Sequence, residues 1–410
     1  MSRTFPLLDH HRQAGALLAP YGPASAPEAA VPLVEAFGPV PIEYAAIRSK
    51  VALFDQAHRA TLALTGADRL TFLNRMVTQE LDPARGFAPF TMRRSFWLNR
   101  KGRIDADLRI LHMPDRLLID VDIHAAARAK AGLDGYIITE ECTLTDETDR
   151  WHRLALHGPG AAALLSRVGR LSEPGASTSI ADIQPGQVSV VRIGEAEVVV
   201  DRQDSTGEIG LELLVPIGAV AEVYEALIGQ GAKPIGWHAL NIARIEAGTP
   251  MYYVDFGPDS LPHETGEATL HDRVSFKKGC YLGQEVVARM NALGHPKQRL
   301  VALKVGTRGD SGGLLPVSSD AASSSASMPQ AITGTPVFAS DAPDAQPIGA
   351  VTSSCVSPML GDTPIAFAMV KWAHSNPETT LHLEIGGSRV PAMIQPRMTF
   401  WPPTPASAQA

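Results

Sequence analysis

Between residues 60 and 231 one order of elements occurs twice. "ATLALTG" (Ala60–Gly66) reads as a strand and "ADRLTFLNRMV" has helical spacing. "SFWLN" and "IDADLRIL" read as strands around the turn "RKGR". "RLLIDVD" is a further strand, and "IHAAARAKAGLDGY" a helix. The second pass gives strand "RLALHG", helix "GAAALLSRVG", a hairpin of "VSVVRI" and "AEVVVDR" across "GE", strand "LELLV", and the helix "AVAEVYEALIGQG" ended by Gly231. Neither set of amphipathic elements can bury its apolar faces alone, so the repetition predicts an α+β fold with a duplicated, split-βαβ-like body. The repeat lies in element order and not in residue identity.

The body is expected to span residues 1–297, as two interleaved α+β lobes. Within it "WHALNIARIEAGTP" is a helix stopped by Gly248 and Pro250. From residue 298 to 404 short strands with turn punctuation, "RLVALKV", "IGAVTSSCVSP", "IAFAMVKW", "LHLEIGG" and "RVPAMIQ", predict a C-terminal β-barrel. The Ser/Ala/Gly/Pro/Asp-rich stretch at about 307–347 carries too little apolar surface to order itself and is expected to be a disordered insertion. Hydrophobic residues make up 45% of the chain and charged residues 19%, a globular balance. A net charge of −7 disfavours a nucleic-acid-binding surface. Only three cysteines occur, without paired CxxC spacing, and no window approaches the roughly 18 apolar residues of a spanning helix. A cytoplasmic protein with no metal site is the expectation.

Several residues stand out for chemistry. "KKGCYLGQEVVAR" (Lys277–Arg289) crowds Lys278, Gly279, Cys280, Tyr281, Gly283, Gln284 and Glu285 together. Either it is a turn with a small buried cysteine, or Lys277 and Lys278 favour the Cys280 thiolate while the glycines let a ligand approach. Asp105 and Asp107 share one face of a strand: a solvated edge, or a carboxylate placed to take a proton from an amine. Glu212 sits inside the apolar "GLELL" and needs a partner. That partner is Arg202 or Arg244, or else a planar ligand with two adjacent N–H groups, such as a pterin edge. "GPGAAA" fits a tight turn opening a helix better than a dinucleotide fingerprint, since no acidic residue follows at the right distance. His263, Glu264 and His271 match no metal-ligand spacing.

With these residues in view, the chain resembles the folate-binding relatives of the glycine-cleavage T-protein (aminomethyltransferase), and most of all the YgfZ-type branch. "KGCYLGQEVVAR" is similar to that branch's signature, "NRKGRIDADL" to its strand–turn–strand, "ARIEAGTPMYYVDF" with "LPHETG" to the segment before the cysteine, and "GAVTSSCVSPMLGDTPIAFAMV" to the superfamily's C-terminal barrel. The resemblance implies a central site for tetrahydrofolate or another reduced folate. By motif position it implies Asp107 beside the reactive folate nitrogen, Glu212 on the pterin edge and Cys280 as the motif cysteine, with Arg202 and Arg244 on the binding side. Ser205 stands where T-proteins carry a tyrosine, and Leu240 where a T-protein helix carries an arginine. The expected function is therefore tetrahydrofolate-linked support of iron–sulfur cluster assembly or repair, with iron–sulfur enzymes or assembly proteins as partners. The alternative is folate-dependent aminomethyl or one-carbon transfer of T-protein type.

Overall fold

The computed structural model describes residues 5–23, 25–173, 177–308, 314–315 and 330–400. It resolves into two compact units, residues 1–240 with 272–284, and residues 241–271 with 285–410. The expected division at residue 297 is not where the units part. Residues 241–271 and 285–297 go with the barrel, and only 272–284 return to the body.

The first unit opens with α1 (Leu8–Gln13), the hairpin β1 (Leu17–Tyr21) and β2 (Val31–Ala36), and α2 (Val40–Ser49). Then come β3 (Ala52–Asp55), β4 (Arg59–Thr65), α3 (Arg69–Met76), β5 (Thr91–Leu98), β6 (Ile104–His112), β7 (Arg116–Asp122), α4 (Ile123–Asp134) and β8 (Thr143–Asp146). The second pass is β9 (Trp151–His157), α5 (Ala161–Val168), β10 (Gly169–Glu173), β11 (Val188–Ile193), β12 (Ala196–Arg202), β13 (Gly210–Pro216), α6 (Val220–Gly229) and β14 (Lys233–Ile235). One sheet has the order β5-β6-β7-β4-β8; the other runs β10-β11-β12-β13-β9-β3-β14. The duplication is thus real, and the lobes interleave, because β3 precedes the first lobe in sequence yet pairs with β9 and β14 of the second.

Strand alternation decides what each face meets. On the second sheet, Leu53, Leu154, Leu156, Val191, Val198, Leu211 and Leu213 pack against Leu164 and Leu165 of α5 and Val223 and Leu227 of α6. Each such fully buried side chain contributes about 1.5–3 kcal/mol. The opposite face turns Val188, Val190, Val199 and Leu214 onto Ala63, Met92, Leu111 and Leu118 of the first sheet. Two residues along the same strands, this inter-sheet layer changes character. Arg109 and Asp120 on one side, and Asp201, Glu212 and Arg153 on the other, are all buried.

The second unit begins with the end of α7 (Trp237–Glu246) and includes the start of α8 (Glu267–Arg273) and most of α9 (Gln284–Leu293). Its barrel uses β15 (Gln298–Val305), and after the short pair β16 (Thr307–Arg308) and β17 (Leu314–Leu315), β18 (Pro336–Phe338), β19 (Pro347–Ser357), β20 (Thr363–Lys371), β21 (Thr380–Ile385) and β22 (Ser388–Ile394). It closes in the order β15-β20-β19-β18-β21-β22, with β22 back on β15. Val301, Leu303 and Val305 join one apolar cluster with Val337, Val351, Leu381 and Leu383. Leu300 and Ala302 face the other way, with Ile245, Cys355 and Phe367. The insertion expected at 307–347 is therefore too long. Pro336–Phe338 is a barrel strand, and Val337 is fully buried between β19 and β21. Its neighbours' polarity hid a strand of only three residues. Residues 309–313 and 316–329 lie outside the described residues. Among the described residues no helix is long and apolar enough to cross a membrane.

Candidate functional site

The charged half of the inter-sheet layer is built around Glu212, on β13. Its Oε2 accepts a hydrogen bond from Gln56 Nε2 at 2.8 Å and lies 3.3 Å from Arg109 Nη1. Neither expected protein partner reaches it. Arg202 forms a two-pronged pair with Asp204 at 3.0 Å, and Arg244 pairs with Asp255 at 2.6 Å in the second unit. Register explains the first miss: Asp201, not Arg202, stands opposite Glu212, so Arg202 falls on the other face of its strand. Arg109 is a partner that the sequence expectation lacks, although it carries the same signal as Glu212, a charge inside an apolar strand, "DLRIL".

Arg109 serves three carboxylates, Glu212, Asp201 and Asp120, the last at 3.2 Å. Asp120 also takes both prongs of Arg59, each at 3.0 Å, and Arg153 at 2.9 Å. Burial pushes the Asp120 carboxyl up, but Arg153, Arg59 and Arg109 together bring it below the usual carboxylate range. Burial dominates at Asp201, with Glu212 adding to it, and its carboxyl is raised. The turn ahead of Gln56 is fixed by a second buried group. Asp55 accepts from His11 Nε2 at 2.7 Å and from His152 Nε2 at 2.6 Å.

Asp107 lies on β6 two residues from Arg109, facing the same layer. Its Oδ1 accepts from Arg273 Nε at 2.8 Å, and Arg273 also meets Asp272 at 3.1 Å and lies over the Phe96 ring. Arg94 sits 3.5 Å from Asp272, and burial together with Arg273 brings it down to about 10. Asp105 is engaged by Asn99 Nδ2 at 3.2 Å. Because β6 lies between β5 and β7, the solvated-edge reading of Asp105 and Asp107 fails. The layer thus holds Asp107, paired with Arg273, and Glu212, paired with Arg109.

The segment that supplies Arg273 also carries the cysteine motif. Lys278 is buried, and its Nζ donates to Asn74 O at 2.6 Å, Asn74 Oδ1 at 2.9 Å, Val77 O at 2.8 Å and Gln79 O at 2.8 Å. These are carbonyls at and just past the end of α3, where a helix leaves acceptors open and its dipole favours a cation. Burial pulls Lys278 down to about 8. This ammonium is therefore a helix cap, and the expectation that it serves the Cys280 thiol is not met. Tyr281 is buried beside it, its phenol pushed up to about 12 by burial. Gly283 has φ +80°, and a Cβ there would lie 2.8 Å from Asn99 O, so the position requires glycine. Gly279 has neither constraint. Cys280 and Glu285 are exposed, and Gln284 opens α9. At "GPGAAA", Gly160 N donates to Lys50 O, and a Cβ on Gly158 would meet that same oxygen at 2.5 Å, so the turn packs against its own chain.

Comparison with known proteins decides the family. Residues 7–278 match the GCVT N-terminal domain, and residues 325–400 match the glycine cleavage T-protein C-terminal barrel domain. The chain belongs to the GCVT family. Relatives of this GCVT protein named aminomethyltransferase include one from Desulfitobacterium hafniense, 25% identical over 403 residues, covering 96% of this chain and 97% of the relative. Another, from Deinococcus deserti, is 28% identical over 391 residues and covers 94% of each. The fold matches the crystal structure of glycine cleavage system aminomethyltransferase T from Bartonella henselae, with a TM-score of 0.77 at 24% identity over 96% of both chains.

Proposed function

We propose that this GCVT-family protein binds a reduced folate in the charged inter-sheet layer and acts as a folate-dependent one-carbon transferase of T-protein type. One observation carries the reading. Asp107 and Glu212 each have one carboxylate oxygen held by the protein, while Asp107 Oδ2 and Glu212 Oε1 have no hydrogen-bond partner among the described residues. A desolvated carboxylate with an open oxygen is a strong acceptor for a ligand N–H. Glu212 Oε1 is suited to the N–H edge of a pterin ring, and Asp107 Oδ2 to an amine nitrogen, from which it can take a proton. Arg273 holds Asp107, and Gln56 and Arg109 hold Glu212, so that little ordering remains to be done on binding. The family and relatives named aminomethyltransferase over nearly the whole chain favour transfer over the iron–sulfur role expected at first.

A second reading is YgfZ-type support of iron–sulfur enzymes. The observation behind it is the motif itself: an exposed Cys280 on a loop anchored by Lys278 and Gly283. The test has two parts. Calorimetry with tetrahydrofolate should show binding that Glu212→Gln weakens more than about tenfold, as loss of a desolvated charged acceptor costs a few kcal/mol. Mixing the protein with tetrahydrofolate and an aminomethyl-loaded dihydrolipoyl carrier should then yield methylenetetrahydrofolate, ammonia and the free dihydrolipoyl carrier. Binding without turnover would move the weight to the second reading, and no binding at all would remove both.

A further inference from the structure

We infer that Gln56 is a positioning residue that fixes which oxygen of Glu212 faces the ligand. The inference rests on the folate-binding reading above and adds a residue to it. Gln56 occupies the short crossover from β3, in the second sheet, to β4, in the first. A side chain there projects into the layer between the sheets. Its main chain is tied on both sides: Gln56 N donates to Arg153 O at 3.0 Å, and Gln56 O accepts from Arg59 N at 3.0 Å. The residue before it, Asp55, is clamped between His11 and His152. A side chain leaving so fixed a backbone reaches its target with little freedom to lose.

The alternative holder of Glu212 is Arg109, and it is overcommitted. Its guanidinium faces Asp201, Asp120 and Glu212, and the Glu212 contact, at 3.3 Å, is the longest of the three. The shorter, directed bond to Glu212 is the one from the Gln56 amide, at 2.8 Å. An amide donates a hydrogen bond without bringing a charge. Gln56 therefore locks Oε2 in place without neutralising the carboxylate. The negative charge stays available at Oε1, where a ligand N–H would arrive. A second cation in its place would hold Glu212 equally well but weaken it as an acceptor. A residue with no donor would free the carboxylate to turn onto Arg109.

Because Gln56 would act through Glu212, a double-mutant cycle is the deciding experiment. The probe is 5-formyltetrahydrofolate, titrated calorimetrically into the full-length protein, with p-aminobenzoylglutamate as a probe that lacks the pterin. Gln56→Leu, of similar size but without a donor, should bind the folate about tenfold more weakly, the loss of one bond to a charged group. Adding Gln56→Leu to Glu212→Gln should cost nothing further. Binding of p-aminobenzoylglutamate and the melting temperature should change little. Wild-type folate affinity in Gln56→Leu would overturn the inference while leaving folate binding intact, and so would losses that simply add in the double variant. A wild type that does not bind 5-formyltetrahydrofolate would instead overturn the reading on which the inference rests. If Gln56→Leu does not fold, Gln56→Ala carries the same cycle, and failure of both to fold would assign Gln56 to the core and end the inference.

Discussion

Lys278→Met should destabilise the protein by about 3 kcal/mol, although the site is on a loop and methionine matches the lysine stem in length. The figure comes from two opposing quantities. The ammonium has three protons for four oxygens at 2.6–2.9 Å. Three satisfied bonds from a charged donor contribute about 1.5–3 kcal/mol each. Against them stands the cost of burial, which pulls the group from 10.5 to about 8, a shift equivalent to about 3 kcal/mol. What remains, about 1–6 kcal/mol, is lost with the ammonium, and the open carbonyls past α3 add to the loss rather than relieve it. Urea unfolding at pH 7, followed by far-UV circular dichroism, measures it, with Cys280→Ser as the reference from the same loop. Cys280 is exposed, and its substitution should stay within about 0.5 kcal/mol of wild type. A Lys278→Met variant that also stays within about 1 kcal/mol would show that the ammonium does not hold the end of α3.

Three further outcomes are expected. His157 is buried and its imidazole is brought down to about 4, chiefly by burial with Arg48 adding. The unfolded chain then takes up a proton as pH falls below about 6.5 while the folded chain does not until about 4, so stability is lost across that window. Urea midpoints at pH 7 and pH 4.5 should therefore fall further for wild type than for His157→Asn, and parallel losses would count against a neutral buried imidazole. Gly283→Ala should cost about 2–4 kcal/mol from left-handed strain and the clash with Asn99 O, and a variant as stable as wild type in thermal melts would contradict that packing. Replacing residues 316–329 with a short Gly/Ser linker should leave the melting temperature nearly unchanged, since closure cost grows slowly with loop length. Extending the replacement through Phe338 removes β18 and its buried Val337, and should melt the barrel at lower temperature.

The elements legible in the sequence were those with strong periodicity. The β11–β12 hairpin falls on Val188–Ile193 and Ala196–Arg202, where alternation and "GE" place it. The short strands β3, β8, β10, β14 and β18 leave no signal in the sequence, because three to five residues are too few to show a period. The position of β3 in the second sheet is a long-range pairing with β9 that no local pattern encodes. At the site, Glu212 announced itself by its cost, a carboxylate in an apolar strand. Its partner did not follow from proximity in sequence, because Arg202 and Arg244 are aimed elsewhere while Arg109 arrives from the other sheet. The place of the motif lysine is hidden for the same reason. Charge beside a cysteine in sequence says nothing of where a long side chain ends, and here it ends on α3.

The first unit is broken in sequence, and this sets a timetable for its completion. Lys278 closes onto Asn74 from 204 residues away, and Arg273 onto Asp107 from 166 residues away. During synthesis from the N-terminus, the end of α3 and the Asp107 carboxylate stay without these partners until residues 272–284 have emerged. By then residues 241–271, which belong to the other unit, have already been made. A ribosome arrested anywhere before that point carries a body with an uncapped helix and an unpaired, half-buried acid, the kind of exposed defect that chaperones and proteases act on. The cysteine motif therefore arrives as the last piece of the first unit, and a nascent chain displays a seated Cys280 loop only once its two sheets are in place to receive it.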